Sequence, residues 1–264
     1  MDINQENKTI LFVTAYKDIK RSNWGHYKRN NHEYFSSFLC LAECIEFDLV
    51  VYVEDDIYEQ LCNKTIFKPN IIFKNLNSVN TFFDRYLESE QIIINSAIYK
   101  NKIPEHRKIN PEHLYAEYNL INHSKINFVS DAKNTFNYDF YAWIDFGYVK
   151  KYNSIPFKKN INPDLLPEKI IYHYLKYPDL DNKVEPNNML KSDDIYLTGS
   201  SFIVPKSLVD NFEMMYENKI RSFEENYISD DDQNLVLQLY YDRHELFHII
   251  YHHEWFSLFY ILPK

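Results

Sequence analysis

A short apolar run near the middle of the chain, Phe140–Ile144, constrains the fold most, because it is too short for an ordinary helix and leads straight into a carboxylate. A run rich in aromatic side chains is typical of a buried strand. Asp145 follows it, and an aspartate is costly to bury without a partner. Gly147, one of three glycines in the chain, permits a close backbone approach to a ligand. The segment predicts either a strand that carries a carboxylate to the floor of a cleft or an aspartate that caps the next turn.

A second apolar run, Thr9–Tyr16, predicts a buried parallel strand. The loop after it, residues 17–30, carries several lysines and arginines but a single acidic residue, Asp18, although the whole chain has a net charge of −9. Ligands of open α/β sheets bind just outside the carboxyl ends of the strands. Arg21 and its neighbours are therefore candidates to hold a phosphate. The alternative is a solvated basic loop.

Helical and strand-like patterns alternate along the rest of the first half. Helices are expected at 32–47, 55–63, about 78–97, 112–123 and 125–134, and strands at 48–53 and 70–73. This order predicts a parallel, doubly wound sheet. The second half is richer in loops, with strands expected at 169–175, 194–205 and 246–251 and helices at 207–225 and 230–241. We expect one α/β domain over residues 1–264, with a nucleotide-binding half to about 150 and an acceptor-binding half from 151.

Composition excludes several classes of protein. A net charge of −9 disfavours binding to the phosphate backbone of nucleic acids. No apolar run is long enough to span a membrane, and Met1–Lys8 is polar, without the core of a signal peptide. Cys40, Cys44 and Cys62 show no zinc-site spacing, and the first two are expected to be core thiols. We therefore expect a cytoplasmic protein with neither a transmembrane segment nor a nucleic-acid partner.

The two strand ends are expected to meet. The carboxyl ends of parallel strands lie at one edge of a sheet, so the basic loop and Asp145 can converge there. A phosphate-binding loop facing a carboxylate suits a metal-bridged diphosphate, with the carboxylate holding the cation. The chain contains no glycine-rich dinucleotide fingerprint, no phosphate-binding loop ending in Gly-Lys-Ser/Thr and no Gly-x-Ser-x-Gly elbow.

Several segments together resemble the HtrL/YibB family of bacterial and viral proteins. They are Thr-Ala-Tyr-Lys-Asp-Ile-Lys-Arg at 14–21, Trp24, Tyr34-Phe35, Glu-Tyr-Asn-Leu-Ile-Asn-His-Ser-Lys at 117–125 and Trp-Ile-Asp-Phe-Gly at 143–147. Proteins of this family look like GT-A-fold glycosyltransferases associated with surface-glycan synthesis. The resemblance covers most of the chain and is weakest after Lys206. It implies a GT-A-like, Rossmann-like fold with a mostly parallel sheet, a nucleotide-sugar donor and a glycan or glycoconjugate acceptor.

The resemblance also implies a donor site. Its expected members are Thr14, Ala15, Tyr16, Asp18, Arg21, Lys125, Asp145 and Gly147. Asp145 would be the first carboxylate of an Asp-x-Asp motif that holds Mn²⁺ or Mg²⁺, but Gly147 stands where the second carboxylate would be. His253, beside His252, is a candidate to complete the metal site with Asp145. The alternatives are a lysine on a helix surface for Lys125 and solvent-exposed side chains for the histidines.

The acceptor side is expected around Gly199 and Ser200, where related transferases present a loop, and near Asp232, where they often place a catalytic acid. Asp232 or Asp194 is a candidate base for the acceptor hydroxyl. The alternative for the acids at 231–232 is capping of a helix. Two other functions stay open. A non-catalytic nucleotide- or glycan-binding module is compatible with the missing carboxylate at 147, and a nucleotidyltransferase would require at least two clustered acids near the phosphate.

Overall fold

The structure, a computed structural model, describes residues 7–150, 161–261 and 263. Within these residues seven strands form one sheet in the order β3-β2-β1-β4-β6-β5-β7. The strands are β1 (Ile10–Tyr16), β2 (Leu49–Val53), β3 (Ile71–Asn75), β4 (Phe140–Ile144), β5 (Ile170–Tyr174), β6 (Ser201–Pro205) and β7 (Phe247–Tyr251). All of them run parallel except β6, which is antiparallel to both of its neighbours. The predicted fold class, an α/β protein with a mostly parallel sheet flanked by helices, is confirmed.

Helices cover both faces of the sheet, and a hydrophobic core lies under each face. Over the described residues they are α1 (Asn31–Cys44), α2 (Asp55–Cys62), α3 (Phe82–Asn95), α4 (Ala97–Lys100), α5 (Pro111–Leu114), α6 (Ala116–His123), α7 (Lys125–Thr135), α8 (Pro186–Met189), α9 (Val209–Glu225), α10 (Asp232–Arg243) and α11 (Leu258–Ile261). Successive residues of a strand point to opposite faces. Leu11 and Val13 of β1 accordingly pack with α3, α7, α9 and α10, whereas Ile10 and Phe12 pack with α1, α2 and α11.

Three chain segments meet at one edge of the sheet. β1 and β4 are adjacent and parallel, with Val13 opposite Trp143, so their carboxyl ends lie at the same edge. β6 runs the other way, with Ser201 opposite Ile144, so its first residue lies at that edge too. The sheet therefore brings together the loop after β1, the residues after β4 and the residues before β6.

The differences from the predicted elements are local. The long helix expected from Ser78 begins instead at Phe82, where the Thr81 backbone N–H donates to the Asp84 carboxylate at 2.9 Å. The helix expected over 112–123 is divided at Tyr115, whose backbone is extended. The strand expected over 194–205 is shorter and begins at Ser201. Before it, Leu197 forms only an isolated bridge to Tyr174, and the Gly199 carbonyl accepts a hydrogen bond from Lys125.

Two of the three cysteines are less buried than expected. Cys40 and Cys44, expected as core thiols, are only half-buried, and Cys62 is exposed. Across the described residues, no helix combines the length and the apolar character that a membrane span requires. The sheet contains strands from both predicted halves of the chain, and the division of labour between those halves stays a prediction.

Candidate active site

A pocket of about 400 Å³ opens at the edge where β1 and β4 end. Its lining comes from the loop after β1, from α1, α6 and α7, from the residues after β4 and before β6, from the start of α10 and from residues 255–256. Cationic side chains outnumber carboxylates in this lining: Lys17, Arg21, Arg29, Lys125 and Lys150 against Asp18, Asp145 and Asp232. In a chain with a net charge of −9, this excess of positive charge distinguishes the pocket from the protein as a whole.

Lys125, at the start of α7, joins the two central carboxylates. Its Nζ donates to Asp232 Oδ2 at 2.7 Å and to the Gly199 carbonyl at 2.8 Å, and lies 3.2 Å from Asp145 Oδ1. Its side chain is 7% exposed, so the alternative of a surface lysine is wrong. Burial alone lowers the pKa of Lys125, but Asp145 and Asp232 outweigh that effect and raise the pKa above its ordinary value. The amine is therefore a fixed positive charge.

Asp145 is held at the rim of the sheet by its backbone and its carboxylate. Its N–H donates to the Ser200 carbonyl at 2.9 Å, and Oδ1 accepts a hydrogen bond from Trp143 Nε1 at 2.9 Å. Removal from water raises the pKa of the Asp145 carboxyl, and Asp232 adds to the increase, although Lys125 opposes it. The side chain contacts Trp143 and Lys125 rather than the following turn, so the strand delivers the carboxylate to the pocket.

The start of α10 divides the two predicted roles between neighbouring residues. Asp231 caps the helix, accepting hydrogen bonds from the Gln233 backbone N–H at 3.1 Å and from its side-chain amide at 2.8 Å. Asp232, 9% exposed in its side chain, turns to Lys125 instead. A Cβ on Gly199 would stand 2.5 Å from Asp232 Oδ2, so only glycine lets this carboxylate and the Gly199 carbonyl approach the same ammonium.

Two arginines of the basic loop, Arg21 and Arg29, line the pocket. Arg21 donates from Nε to the Tyr27 carbonyl at 2.9 Å and from Nη1 to the Tyr34 hydroxyl at 3.0 Å. The Arg29 guanidinium lies 5.2 Å from the centre of the Tyr34 ring. In the part of the chain that the structure describes, neither arginine forms an ion pair. Guanidinium groups held by neutral partners are suited to receive a phosphate.

Lys150 adds a third cation to this group. Its amine lies 5.6 Å from the centre of the Phe256 ring and would be 3.5 Å from a Cβ on Gly147. Desolvation of the amine, together with Arg29 and Arg21, lowers the pKa of Lys150 to about 8. Cations crowded in this way repel one another, and a bound anion would relieve the repulsion. We call Arg21, Arg29 and Lys150 the cationic cluster.

The loop that carries the arginines is shaped by Asp18. Its carboxylate accepts hydrogen bonds from Lys20, at 2.8 Å from the backbone N–H and 2.9 Å from Nζ, and from Asn31 Nδ2 at 3.3 Å. Burial raises the pKa of Asp18, but the hydrogen bonds from Lys20 and Asn31 outweigh it, and the pKa is lowered. Lys20 and Tyr27 have φ angles of 55° and 54°, which non-glycine residues adopt at a cost.

Most of the residues predicted for the site line the pocket. They are Ala15, Tyr16, Asp18, Arg21, Lys125, Asp145, Gly147, Gly199, Ser200 and Asp232. Thr14 is an exception, because it is fully buried within β1 and does not line the pocket. Asp194 is also outside the lining, exposed and paired with Lys176 Nζ at 2.6 Å, so it is a poor candidate for a base.

The structure does not bring together the two residues predicted to hold a divalent metal, Asp145 and His253. His253 does not line the pocket, its side chain is 72% exposed, and its ring stacks on His252 with centroids 4.7 Å apart. Among the residues that the structure describes, no group of three or more His, Cys, Asp or Glu side chains could hold a metal ion. The Lys125 ammonium already contacts both carboxylates. The predicted metal site of Asp145 and His253 is therefore not assembled.

The sequence analysis missed several lining residues. Tyr118, Ile121 and Asn122 precede Lys125 at helical spacing and share its face, a pattern that was open to detection once Lys125 was singled out. Lys150 and Gln233 lie close in sequence to the predicted Gly147 and Asp232. Trp255 and Phe256 gave no local signal, because they reach the pocket from a segment without a predicted site residue in the lining.

Comparisons with known proteins agree with the resemblance seen in the sequence. A family model described as "Bacterial protein of unknown function (HtrL_YibB)" matches residues 7–263. Protein HtrL of Escherichia coli (strain K12) is 26% identical over 264 residues, which cover 95% of this chain and 91% of that protein. One solved structure that is similar is 4-diphosphocytidyl-2C-methyl-D-erythritol synthase from Anaerococcus prevotii DSM 20548. It is 12% identical with a TM-score of 0.44, and the match covers 93% of this chain and 90% of that one. This similarity is too distant to indicate a substrate. The match over nearly the whole chain shows that this protein belongs to the HtrL_YibB family.

Proposed function

We propose that this protein is a glycosyltransferase that moves a sugar from a nucleotide-sugar donor to a glycan or glycoconjugate acceptor. One observation carries the proposal. The cationic cluster, which forms no ion pair with any described residue, and a pair of carboxylates line the same pocket, at the carboxyl edge of two parallel strands. Open α/β sheets bind nucleotides at this edge. The cations can bind a diphosphate, and a carboxylate can act as the general base that accepts the proton of the acceptor hydroxyl.

In this proposal the cationic cluster binds the donor diphosphate. Arg21 keeps its Nη2 donors without a partner among the described residues, and its position is fixed by Tyr27 and Tyr34. A guanidinium that is already oriented loses little entropy when it binds a phosphate. The same charges would stabilise the diphosphate as it leaves the sugar, which is where negative charge develops.

The carboxylates take different parts. Asp145 is 33% exposed in its side chain, whereas Asp232 is 9% exposed and hydrogen-bonded to Lys125. Asp145 is therefore the better placed of the two to face a donor sugar or to accept the proton of an acceptor hydroxyl. Its raised pKa moves it towards the range in which a carboxylate works as a general base near neutral pH. Asp232, predicted as catalytic, would act instead by holding Lys125 in place.

A thermal-shift and calorimetry screen against nucleoside diphosphates and their sugar conjugates tests the proposal. A ligand that binds only the folded state raises the melting temperature. We expect at least one nucleoside diphosphate to do so and its affinity to fall in an Arg21→Ala/Arg29→Ala variant. Lys28→Ala is the matched control, since Lys28 belongs to the same loop, is exposed and does not line the pocket. Failure of every nucleoside diphosphate to bind would refute the proposal.

One observation favours a second candidate, a non-catalytic module that binds a nucleotide or a glycan. Lys125 contacts both carboxylates, which reduces their capacity to take part in chemistry. Asp145→Asn separates the two functions, because the amide keeps the shape of the side chain and loses its charge. For a transferase we expect donor hydrolysis or sugar transfer to fall by orders of magnitude in this variant. A protein that binds nucleotide-sugars tightly but never turns them over, with any acceptor, would be the binding module.

A further inference from the structure

The hydrogen-bonding capacity of the Lys125 ammonium is fully used. A lysine ammonium has three N–H donors and no acceptor. Three oxygens surround this one: Asp232 Oδ2 at 2.7 Å, the Gly199 carbonyl at 2.8 Å and Asp145 Oδ1 at 3.2 Å. The side chains of Lys125 and Asp232 are deeply buried, with exposed fractions of 7% and 9%. The ammonium thus occupies the position between two carboxylates that a divalent cation would need.

A metal ion at this position would have to displace the ammonium. Lys125 would then lose its three acceptors and remain buried beside a second cation, which is costly. Mg²⁺ is usually held by one or two carboxylates together with waters and substrate phosphates. Each carboxylate in the described lining already contacts a cation: Asp145 and Asp232 contact Lys125, and Asp18 accepts hydrogen bonds from Lys20 and Asn31. The lining described by the structure therefore offers a metal ion no carboxylate without a cationic partner.

We propose that the site works without a divalent cation, with Lys125 taking the cation's place between Asp145 and Asp232 and the cationic cluster neutralising the diphosphate. This inference rests on the proposed function for the identity of the ligand, but not for the absence of the metal. It departs from the Mn²⁺ or Mg²⁺ that the sequence resemblance implies. Lys125 is a positioning residue in this arrangement, because it fixes the two carboxylates and keeps them from recruiting an ion.

Titration of the free protein with Mn²⁺ tests the inference without any donor. We expect no saturable binding by calorimetry and no rise in melting temperature for the native protein. In Lys125→Ala the two carboxylates lose their counterion, so we expect Mn²⁺ binding to appear and the melting temperature to rise with Mn²⁺. The double variant Lys125→Ala/Asp145→Asn should lose that response. If the native protein binds Mn²⁺ and Asp145→Asn abolishes the binding, the inference is overturned, and this arm decides even where Lys125→Ala fails to fold.

A second measurement separates the inference from the proposed function. The affinity for UDP, or for whichever nucleoside diphosphate binds, is measured in EDTA and in Mn²⁺. We expect the two dissociation constants to agree within about twofold, far less than the tenfold that corresponds to 1.4 kcal/mol. A loss of about tenfold or more in EDTA would overturn the inference and leave the proposed function standing. Absence of binding in both conditions would refute the proposed function, and the Mn²⁺ titration of the free protein would still decide the inference.

Discussion

Replacing Lys125 with methionine should destabilise the protein strongly. Methionine keeps an unbranched side chain but removes the ammonium that contacts Asp145 and Asp232. Removal of one partner from a buried ion pair costs about 3–5 kcal/mol, because a charge is left buried and unpaired. The Asp232 side chain is 9% exposed and feels this loss fully, whereas water reaches the 33% exposed side chain of Asp145 and offsets part of it. We therefore expect a cost at the lower end, about 3 kcal/mol.

Urea denaturation followed by tryptophan fluorescence and circular dichroism measures this free energy of unfolding. The matched control is Lys176→Met. Lys176 pairs with Asp194 at 2.6 Å, but both side chains are about half exposed, so its removal should change stability little. The double variant Lys125→Met/Asp232→Asn removes the buried charge as well and should recover part of the loss.

The pH dependence of the Lys125→Met variant provides a second check. Desolvation already raises the pKa of Asp145 in the folded protein, and loss of the ammonium that opposes this effect should raise it further above the unfolded-state value. An acid with a raised folded-state pKa contributes stability at low pH that is lost as the pH rises. The deficit relative to the native protein should therefore be largest near pH 7 and shrink as the pH falls towards the ordinary carboxyl range near 4. Equal free energies of unfolding for the two proteins at pH 7, or a difference between them that does not change with pH, would refute the reasoning.

Three further predictions follow from the same structure. Gly199→Ala should lower the free energy of unfolding, measured by urea denaturation, by about 1–3 kcal/mol, because its Cβ would lie 2.5 Å from Asp232 Oδ2. Gly25→Ala is the control and should be neutral, since the added Cβ has nothing within 4 Å. Equal effects of the two substitutions would count against the packing argument. Burial raises the pKa of Glu90 to about 7, so native stability should fall as the pH rises from about 4.5 through 7, and Glu90→Gln should flatten that slope; an unchanged slope would contradict the assignment. Arg21→Ala should weaken binding of a nucleoside diphosphate by about 1.5–3 kcal/mol in calorimetry, and an unchanged affinity would remove Arg21 from the site.

The sheet was predictable from the sequence because its signals are local. The apolar runs Thr9–Tyr16 and Phe140–Ile144 correspond closely to β1 and β4. Their parallel pairing then accounts for the convergence of Arg21 and Asp145 on one pocket. The length of each apolar run and the polar residues that follow it are sufficient to predict these strands and their ends.

The role of Lys125 was not predictable from local pattern. Two of its three acceptors, Gly199 and Asp232, lie 74 and 107 residues away in the chain, so the sequence around Lys125 does not indicate that the amine is buried. Thr14 illustrates a different limit. It shares a face of β1 with Tyr16, which lines the pocket, but it lies two residues further from the end of the strand and is fully buried. His253 follows β7 but is exposed and outside the pocket, because the end of a strand places a residue at an edge without directing its side chain.

The uneven burial of the strands has a consequence for local unfolding. β1 is buried along almost its whole length and β2, β4 and β6 along all of it, whereas β3 and β7, at the two ends of the sheet, are partly open to solvent. Amide hydrogens in partly exposed edge strands exchange through small openings, and those of central strands require larger ones. Asp145 and the residues before β6 are attached to central strands, whose amide hydrogens we expect to exchange slowly. Fraying of β3, which β2, β1 and β4 separate from β6, should therefore leave the hydrogen bonds of Lys125 in place.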